Sequence, residues 1–179
     1  MVYLFLAPGF EEAEALVPLD LLRRAGVEVK AVGVGGSRIA GAHGIEISCE
    51  RTIEACADGG LEMIVLPGGM PGTRNLEADE RVQHFITLAF ERELYVGAIC
   101  AAPSILGHRG LLRGKRVTCF PGFEGDCEGA DVTGGFLERD HKLVTAKGMG
   151  VALDFGLALV ECLKGRGEAE KLKAAVMSR

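Results

Sequence analysis

Apolar residues fall along this chain in short packets divided by polar or glycine-rich breaks. "VYLFLA" at residues 2–7 is a continuous apolar run of strand length, as a buried strand requires. "PGFEEAEALVPLDLLRRAG" follows, with Leu16, Leu19 and Leu22 at helical spacing and Gly26 as a C-terminal stop. "VEVKAVGVG" reads as a second strand, which makes the opening a βαβ unit. "GIEIS" predicts a short strand, "TIEACA" a short helix capped by Thr52, and "LEMIVLPGG" a buried strand ending in a glycine turn. "DERVQHFITLAFERE" is amphipathic and predicts a helix, "LYVGAIC" a strand, "APSILGHRGLL" a helix closing near Gly110, and "KRVTCF" another strand. A polar, Gly-rich loop, "PGFEGDCEGA", comes next. "GGFLERDHKLVTAKG" predicts a hairpin turning at "RDHK". "VALDFGLALVECLKG" is a strongly apolar helix and "GEAEKLKAAVMSR" a polar terminal one.

Strands alternate with helices throughout, so the expected fold is α/β, a three-layer sandwich around a mostly parallel sheet. No linker, repeat or low-complexity stretch interrupts residues 1–179, which are read as one domain. In such folds the site forms at the carboxyl ends of the strands. Three glycine-containing segments sit at predicted strand ends: "APGFEEAE", "LPGGMPG" and "GAICAAP". They are expected to meet in one crevice.

Composition narrows the function classes. Hydrophobic residues make up 48% and charged residues 25% of the 179 positions, as in an ordinary globular protein. The net charge of -5, with no basic run, speaks against a nucleic-acid partner. No stretch has the roughly 18 consecutive apolar residues of a membrane span. The apolar start lacks a basic leader and runs into Glu11 and Glu12, so a cytoplasmic protein is expected. The six cysteines, at 49, 56, 100, 119, 127 and 162, form no CxxC pair and match no zinc spacing. They are read as free thiols, and no metal site is expected.

The candidate chemistry centres on Cys100. It lies between a predicted strand and a predicted helix, where a sharp turn exposes a side chain and aims the following amides at it. Those amides and the helix dipole would favour thiolate over thiol. The competing reading is a small buried core residue. Among Glu11, Glu12 and Glu14, helical spacing puts Glu11 and Glu14 on one face and turns Glu12 away. Either these acids complement a helix N-terminus, or one of them reaches Cys100 as a general acid/base. Gly68 and Gly69 offer amides for an oxyanion hole, or form a plain tight turn. No phosphate-binding glycine pattern is present. His43, His84, His108 and His141 read as surface residues, and no Cys–His pair is visible. Cys119 is either a resolving thiol or core.

Taken together, "APGFEEAEALVPLDLLRRAGVEV", "IVLPGGMPGTRNL", "VGAICAAPSIL", "RVTCFPGFE" and "AKGMGVALDFGLALVECLKG" resemble the ThiJ/PfpI superfamily. Within it the chain resembles the branch of the Parkinsonism-associated protein deglycase and its bacterial relatives. The resemblance runs in order over nearly the whole chain. It implies a flavodoxin-like sandwich, a homodimer, and Cys100 as a reactive, readily oxidised cysteine. It further implies that a protonated Glu14 contacts that sulfur and that the amides of Gly69 and Ala101 form the oxyanion site. Activities implied for the branch are glyoxalase action on methylglyoxal, deglycation of carbonyl adducts, and an oxidative-stress or chaperone role, all without a cofactor. Two departures stand out. Phe120 occupies a position where such relatives often carry histidine, and His43 lies near one where they carry arginine. Ala101, where the protease-like branch has histidine, weakens a peptidase reading.

Overall fold

The fold was obtained as a computed structural model that describes residues 1–178; Arg179, the end of the expected terminal helix, lies outside them. In chain order the strands are β1 (Val2–Leu6), β2 (Val29–Gly33), β3 (Arg38–Ala40), β4 (Glu46–Ser48), β5 (Arg51–Thr52) and β6 (Met63–Leu66). They continue with β7 (Tyr95–Ile99), β8 (Arg116–Val117), β9 (Asp131–Val132), β10 (Leu137–Asp140) and β11 (Leu143–Ala146). The helices are α1 (Glu12–Arg24), α2 (Gly72–Ala78), α3 (Glu80–Glu91), α4 (Pro103–Gly107), α5 (Ala152–Lys164) and α6 (Arg166–Ala175).

Seven strands form the central sheet in the order β10-β11-β7-β6-β1-β2-β5. All pairs are parallel except the β10–β11 hairpin at one edge, whose turn carries His141 at φ 51°. The pleat explains why the strands read as unbroken apolar runs. On β1, Tyr3 and Phe5 enter one core with Val82, Phe85 and Ile86 of α3 and Ile105 of α4. Val2, Leu4 and Leu6 enter the other with Leu19 and Leu22 of α1, Phe155 of α5 and Leu172 of α6. Helices therefore cover both faces, and the sandwich has the flavodoxin-like form expected from the sequence.

Contact between α1 and α5 is close. A Cβ on Gly156 would stand 2.6 Å from Leu21 Cδ1 and 3.0 Å from the Pro18 Cα. Asp79 starts α3 as a true N-cap, its carboxylate accepting from the amides of Arg81 and Val82 at 3.0 Å each.

Four local expectations are corrected. "TIEACA" makes only a 3-10 turn, Ile53–Ala55, with no side-chain cap from Thr52. The helix after Cys100 is a little over one turn long, because the chain turns off after Gly107, well before Gly110. Helix α2 was not expected, since its start, Pro71–Gly72, reads as a breaker. The "KRVTCF" strand is just Arg116–Val117 and pairs only with β9, outside the central sheet. The place beside β7 belongs to β11.

Candidate functional site

Strands β7, β6 and β1 are adjacent at the middle of the sheet, so their C-terminal turns lie side by side. Backbone bonds join these turns. The amide of Glu11 donates to Gly68 O at 2.9 Å, and that of Gly72 to Gly9 O at 3.1 Å. Cys100 sits in the β7 turn at φ 65°, a left-handed conformation rare for a residue with a Cβ. Its own amide donates to Ala146 O at 2.8 Å, and its carbonyl accepts from Phe120 N at 2.8 Å. Strand β11 and the loop after β8 thus fix the turn. The expected elbow is present.

The glycines make room for this arrangement. Gly69 has φ 91°, and a Cβ there would lie 2.3 Å from the amide nitrogen of Glu11. A Cβ on Gly68 would lie 2.6 Å from both the Cys100 Cβ and Glu14 Oε2. Gly68 is therefore the gap in which cysteine and glutamate face each other. Its N–H donates to Glu14 Oε2 at 3.0 Å, which corrects its expected role as an oxyanion donor. The amides that do approach the sulfur are those of Ala101 and Gly69.

Glu14 is 1% exposed, and its carboxyl faces the Cys100 side chain across Gly68. Burial pushes this carboxyl up to about 7; bonds from Cys100 and the Gly68 amide oppose the rise, and the charge of Glu11 adds to it. Burial also pushes the Cys100 thiol up to about 12, reinforced by the charge and hydrogen bond of Glu14 and opposed by the Ala101 and Gly69 amides. The sequence suggested a thiolate held by a helix end. In the fold α4 is too short for much dipole, and the desolvated carboxyl beside the sulfur works against a second negative charge. Burial and the closeness of the two groups both work against a doubly charged pair.

These residues form the floor of a cleft of about 400 Å³. Glu11, His43, Met70, Phe120, Phe123 and Met149 complete its walls. Phe120, 46% exposed, presents an apolar ring at the opening and no acid/base group. His43 stands at the rim with a mostly exposed side chain, its Nδ1 3.0 Å from Glu12 Oε2 and 3.5 Å from Glu11 Oε2. Donor atoms of Glu11, Glu12 and His43 all lie within 4.8 Å of one another, although the sequence had suggested no such group. Glu12 does turn away from Cys100, but into the loop 41–45 rather than into water, and it is 6% exposed. Cys119 is buried as a free thiol and does not line the cleft. His108 lies between Glu77 and Asp126, and His84 beside Asp58, both away from the cleft residues. Met70, Phe123 and Met149 went unnoticed in the sequence, where isolated apolar residues in loops carry no periodic signal.

An elbow cysteine and a buried glutamate at the C-terminal edge of a flavodoxin-like sheet define a class of protein, and comparison with known proteins agrees. The chain belongs to the DJ-1/PfpI family, which matches residues 1–162. It is 30% identical over 184 residues to the Parkinson disease protein 7 homolog of Danio rerio, covering 96% of this chain and 94% of that one. It is 30% identical over 131 residues to a Pyrococcus abyssi protein named a deglycase, covering 73% of this chain and 78% of the other. The solved structure of oxidized Toxoplasma gondii DJ-1 superposes with a TM-score of 0.94 at 28% identity, covering 99% and 97% of the two chains. Among the described residues no helix is long and apolar enough to cross a membrane.

Proposed function

We propose that this chain is a cofactor-independent enzyme that converts small reactive carbonyls, such as methylglyoxal, to hydroxy acids. One observation carries the reading: a buried carboxyl faces a cysteine side chain in a small cleft, where burial lifts it to about 7. A general acid/base works best when its acid strength matches the working pH.

In this mechanism the Cys100 sulfur adds to the aldehyde carbon of methylglyoxal while the thiol proton passes to the Glu14 carboxylate. The carbonyl oxygen takes a proton and a hemithioacetal forms. The amides of Gly69 and Ala101 hold the developing oxyanion. Glu14 then removes the proton from the carbon bearing sulfur and returns one to the neighbouring carbon, which yields a lactoyl thioester. Water cleaves the thioester, releasing lactate and the Cys100 thiol. The sum is methylglyoxal plus water to lactate, with oxidation of one carbon balanced by reduction of the next. Early carbonyl adducts of proteins are a related substrate class, consistent with the deglycase name of a relative. With Phe120 in place of an imidazole, turnover is slow. Following the family resemblance, the active form is a cytoplasmic homodimer, which sedimentation velocity would check. The decisive experiment is Cys100→Ala: methylglyoxal loss and lactate formation should both vanish, and unchanged turnover would end this reading.

A second reading rests on the same sulfur and on the relative solved as "oxidized". Here Cys100 is a peroxide sensor: one peroxide gives sulfenic acid and water, and a second gives sulfinic acid and water. A protonated Glu14 donates to the new oxygen. Intact mass after dilute peroxide, with peptide mapping, should find oxygen on Cys100 ahead of the other five cysteines. Uniform oxidation would argue against sensing.

A further inference from the structure

The sequence offered Cys119 as a partner for Cys100, but the fold gives it another. Cys119 follows β8, and its position is set by the preceding residue, whose amide donates to Thr145 Oγ1 at 2.9 Å. Cys127 closes the 3-10 turn Glu124–Asp126, its amide donating to Glu124 O at 3.2 Å. Its backbone is seated on α4: a Cβ on Gly107 would lie 1.9 Å from Asp126 O and 2.7 Å from the Cys127 Cα. Both cysteines are buried, at 3% and 2% exposure, in one apolar cluster, and lie close enough for each to shift the other's acidity. Two free thiols this near, eight positions apart in one buried cluster and held by separate anchors, are candidates for a covalent bond. The segment between them carries Phe120 and Phe123, which wall the Cys100 cleft.

We propose that Cys119 and Cys127 form a reversible disulfide on exposure to peroxide, locking the loop that carries Phe120 and Phe123. The Cys127 sulfur attacks hydrogen peroxide, giving a sulfenic acid and one water. The Cys119 sulfur then attacks that sulfenic sulfur, the S–S bond forms, and the second water leaves. Two thiols are oxidised by two electrons in all, and one peroxide is reduced to two waters. Their mutual interaction shifts Cys119 toward the thiol and Cys127 toward the thiolate, which favours Cys127 as the attacking sulfur. Oxidation of Cys100 is not needed, so this proposal stands apart from both readings of that residue.

The test uses the reduced, purified protein and dilute hydrogen peroxide, followed by alkylation and tryptic digestion. Residues 117–139 contain no Lys or Arg before Arg139, so both cysteines fall in one peptide. That peptide should lose two hydrogens, accept no alkyl group, and regain two alkylation sites after reduction. Cys100→Ala should give the same product, and Cys127→Ala should leave Cys119 open to alkylation. In oxidised Cys100→Ala, amide exchange in loop 120–126 should slow about tenfold or more. The proposal falls if the peptide accepts two alkyl groups at a peroxide dose that fully oxidises Cys100. It also falls if Cys119 cross-links to another cysteine, if Cys100→Ala abolishes the bond, or if loop exchange is unchanged.

Discussion

Glu12 and Glu14 stand two residues apart on α1, both buried, and the fold drives their acid strengths in opposite directions. A helix turns about 100° per residue, so two residues face nearly opposite ways. Glu14 looks inward to the Cys100 turn; Glu12 looks to the loop after β3. Burial pulls Glu12 up as it does Glu14. In Glu12, however, the bond with His43 Nδ1 and the amides of His43 at 2.8 Å and Ile45 at 3.4 Å outweigh burial, and the carboxyl ends below its ordinary value. Glu14 has the Gly68 amide and a thiol, with Glu11 adding a like charge, and ends well above. Removing a carboxylate from water does not by itself decide its ionisation. The donors that replace the water do. One glutamate is held toward its charged form and ties a loop down; the other holds its proton more tightly than a free carboxyl.

The sharpest way to break this contrast is activity. Glu14→Gln keeps the shape and removes the proton exchange, so methylglyoxal turnover should drop by about 10²–10⁴. Glu12→Gln should leave turnover within a few-fold. Equal losses in the two variants would show that α1 acts only as scaffold.

Next comes stability against pH. Glu14 binds its proton more tightly folded than unfolded, with values of about 7 and 4.5. Its contribution is therefore fully present below about pH 4.5 and gone above about pH 7. Between about pH 4 and 8 wild type should lose about 3 kcal/mol that Glu14→Gln does not lose. Glu12 has the opposite sign: its lowered value gives stability above its unfolded value that disappears as pH falls through the folded one. Urea titrations of wild type, Glu14→Gln and Glu12→Gln across this range separate the two. Parallel profiles in all three would refute the opposed roles.

A smaller effect tests the packing behind each carboxyl. Gly68→Ala forces a methyl between Cys100 and Glu14, while Gly41→Ala puts one 2.4 Å from the Glu12 Cδ. Each should lower stability by about 1–3 kcal/mol. Only Gly68→Ala should also lower turnover, by up to about 10² for a shift near 1 Å. A fully active Gly68→Ala would mean that the close approach of sulfur and carboxyl is not what the chemistry needs.

Much of this contrast could be read from the chain, and the part that could not has a physical cause. Buried strands announce themselves as apolar runs, so the three converging turns and the Cys100–Glu14 meeting followed from local pattern and family resemblance. Helical phase correctly turned Glu12 away from the cysteine. What covers Glu12 is a loop some thirty positions later, and local phase carries no information about that. The same limit hid the sheet order. The apolar packet around Val117 has strand character, yet the slot beside β7 goes to β11, because pairing is settled by contacts far apart in sequence. Cys119 and Cys127 lack a recognisable spacing for the same reason. The turn around Cys100 was weighed without the desolvated carboxyl that the fold sets beside it and that pushes the thiol up.

The finest probe of the contrast is His43, whose side chain touches Glu12 and also lines the Cys100 cleft. Its bond with Glu12, helped by the charges of Glu11 and Glu12, lifts its imidazole above the ordinary value. A raised histidine favours the folded state below its unfolded value, and the benefit is lost as pH rises through the folded value. The side chain is exposed, so salt should screen the effect. NMR titration of the His43 ring should give a midpoint above that of a free histidine in wild type. The midpoint should return toward the free value in Glu12→Gln and remain raised in Glu14→Gln. A midpoint that followed Glu14 instead would mean that rim and floor titrate as one system, and the division between a structural and a chemical glutamate would have to be abandoned.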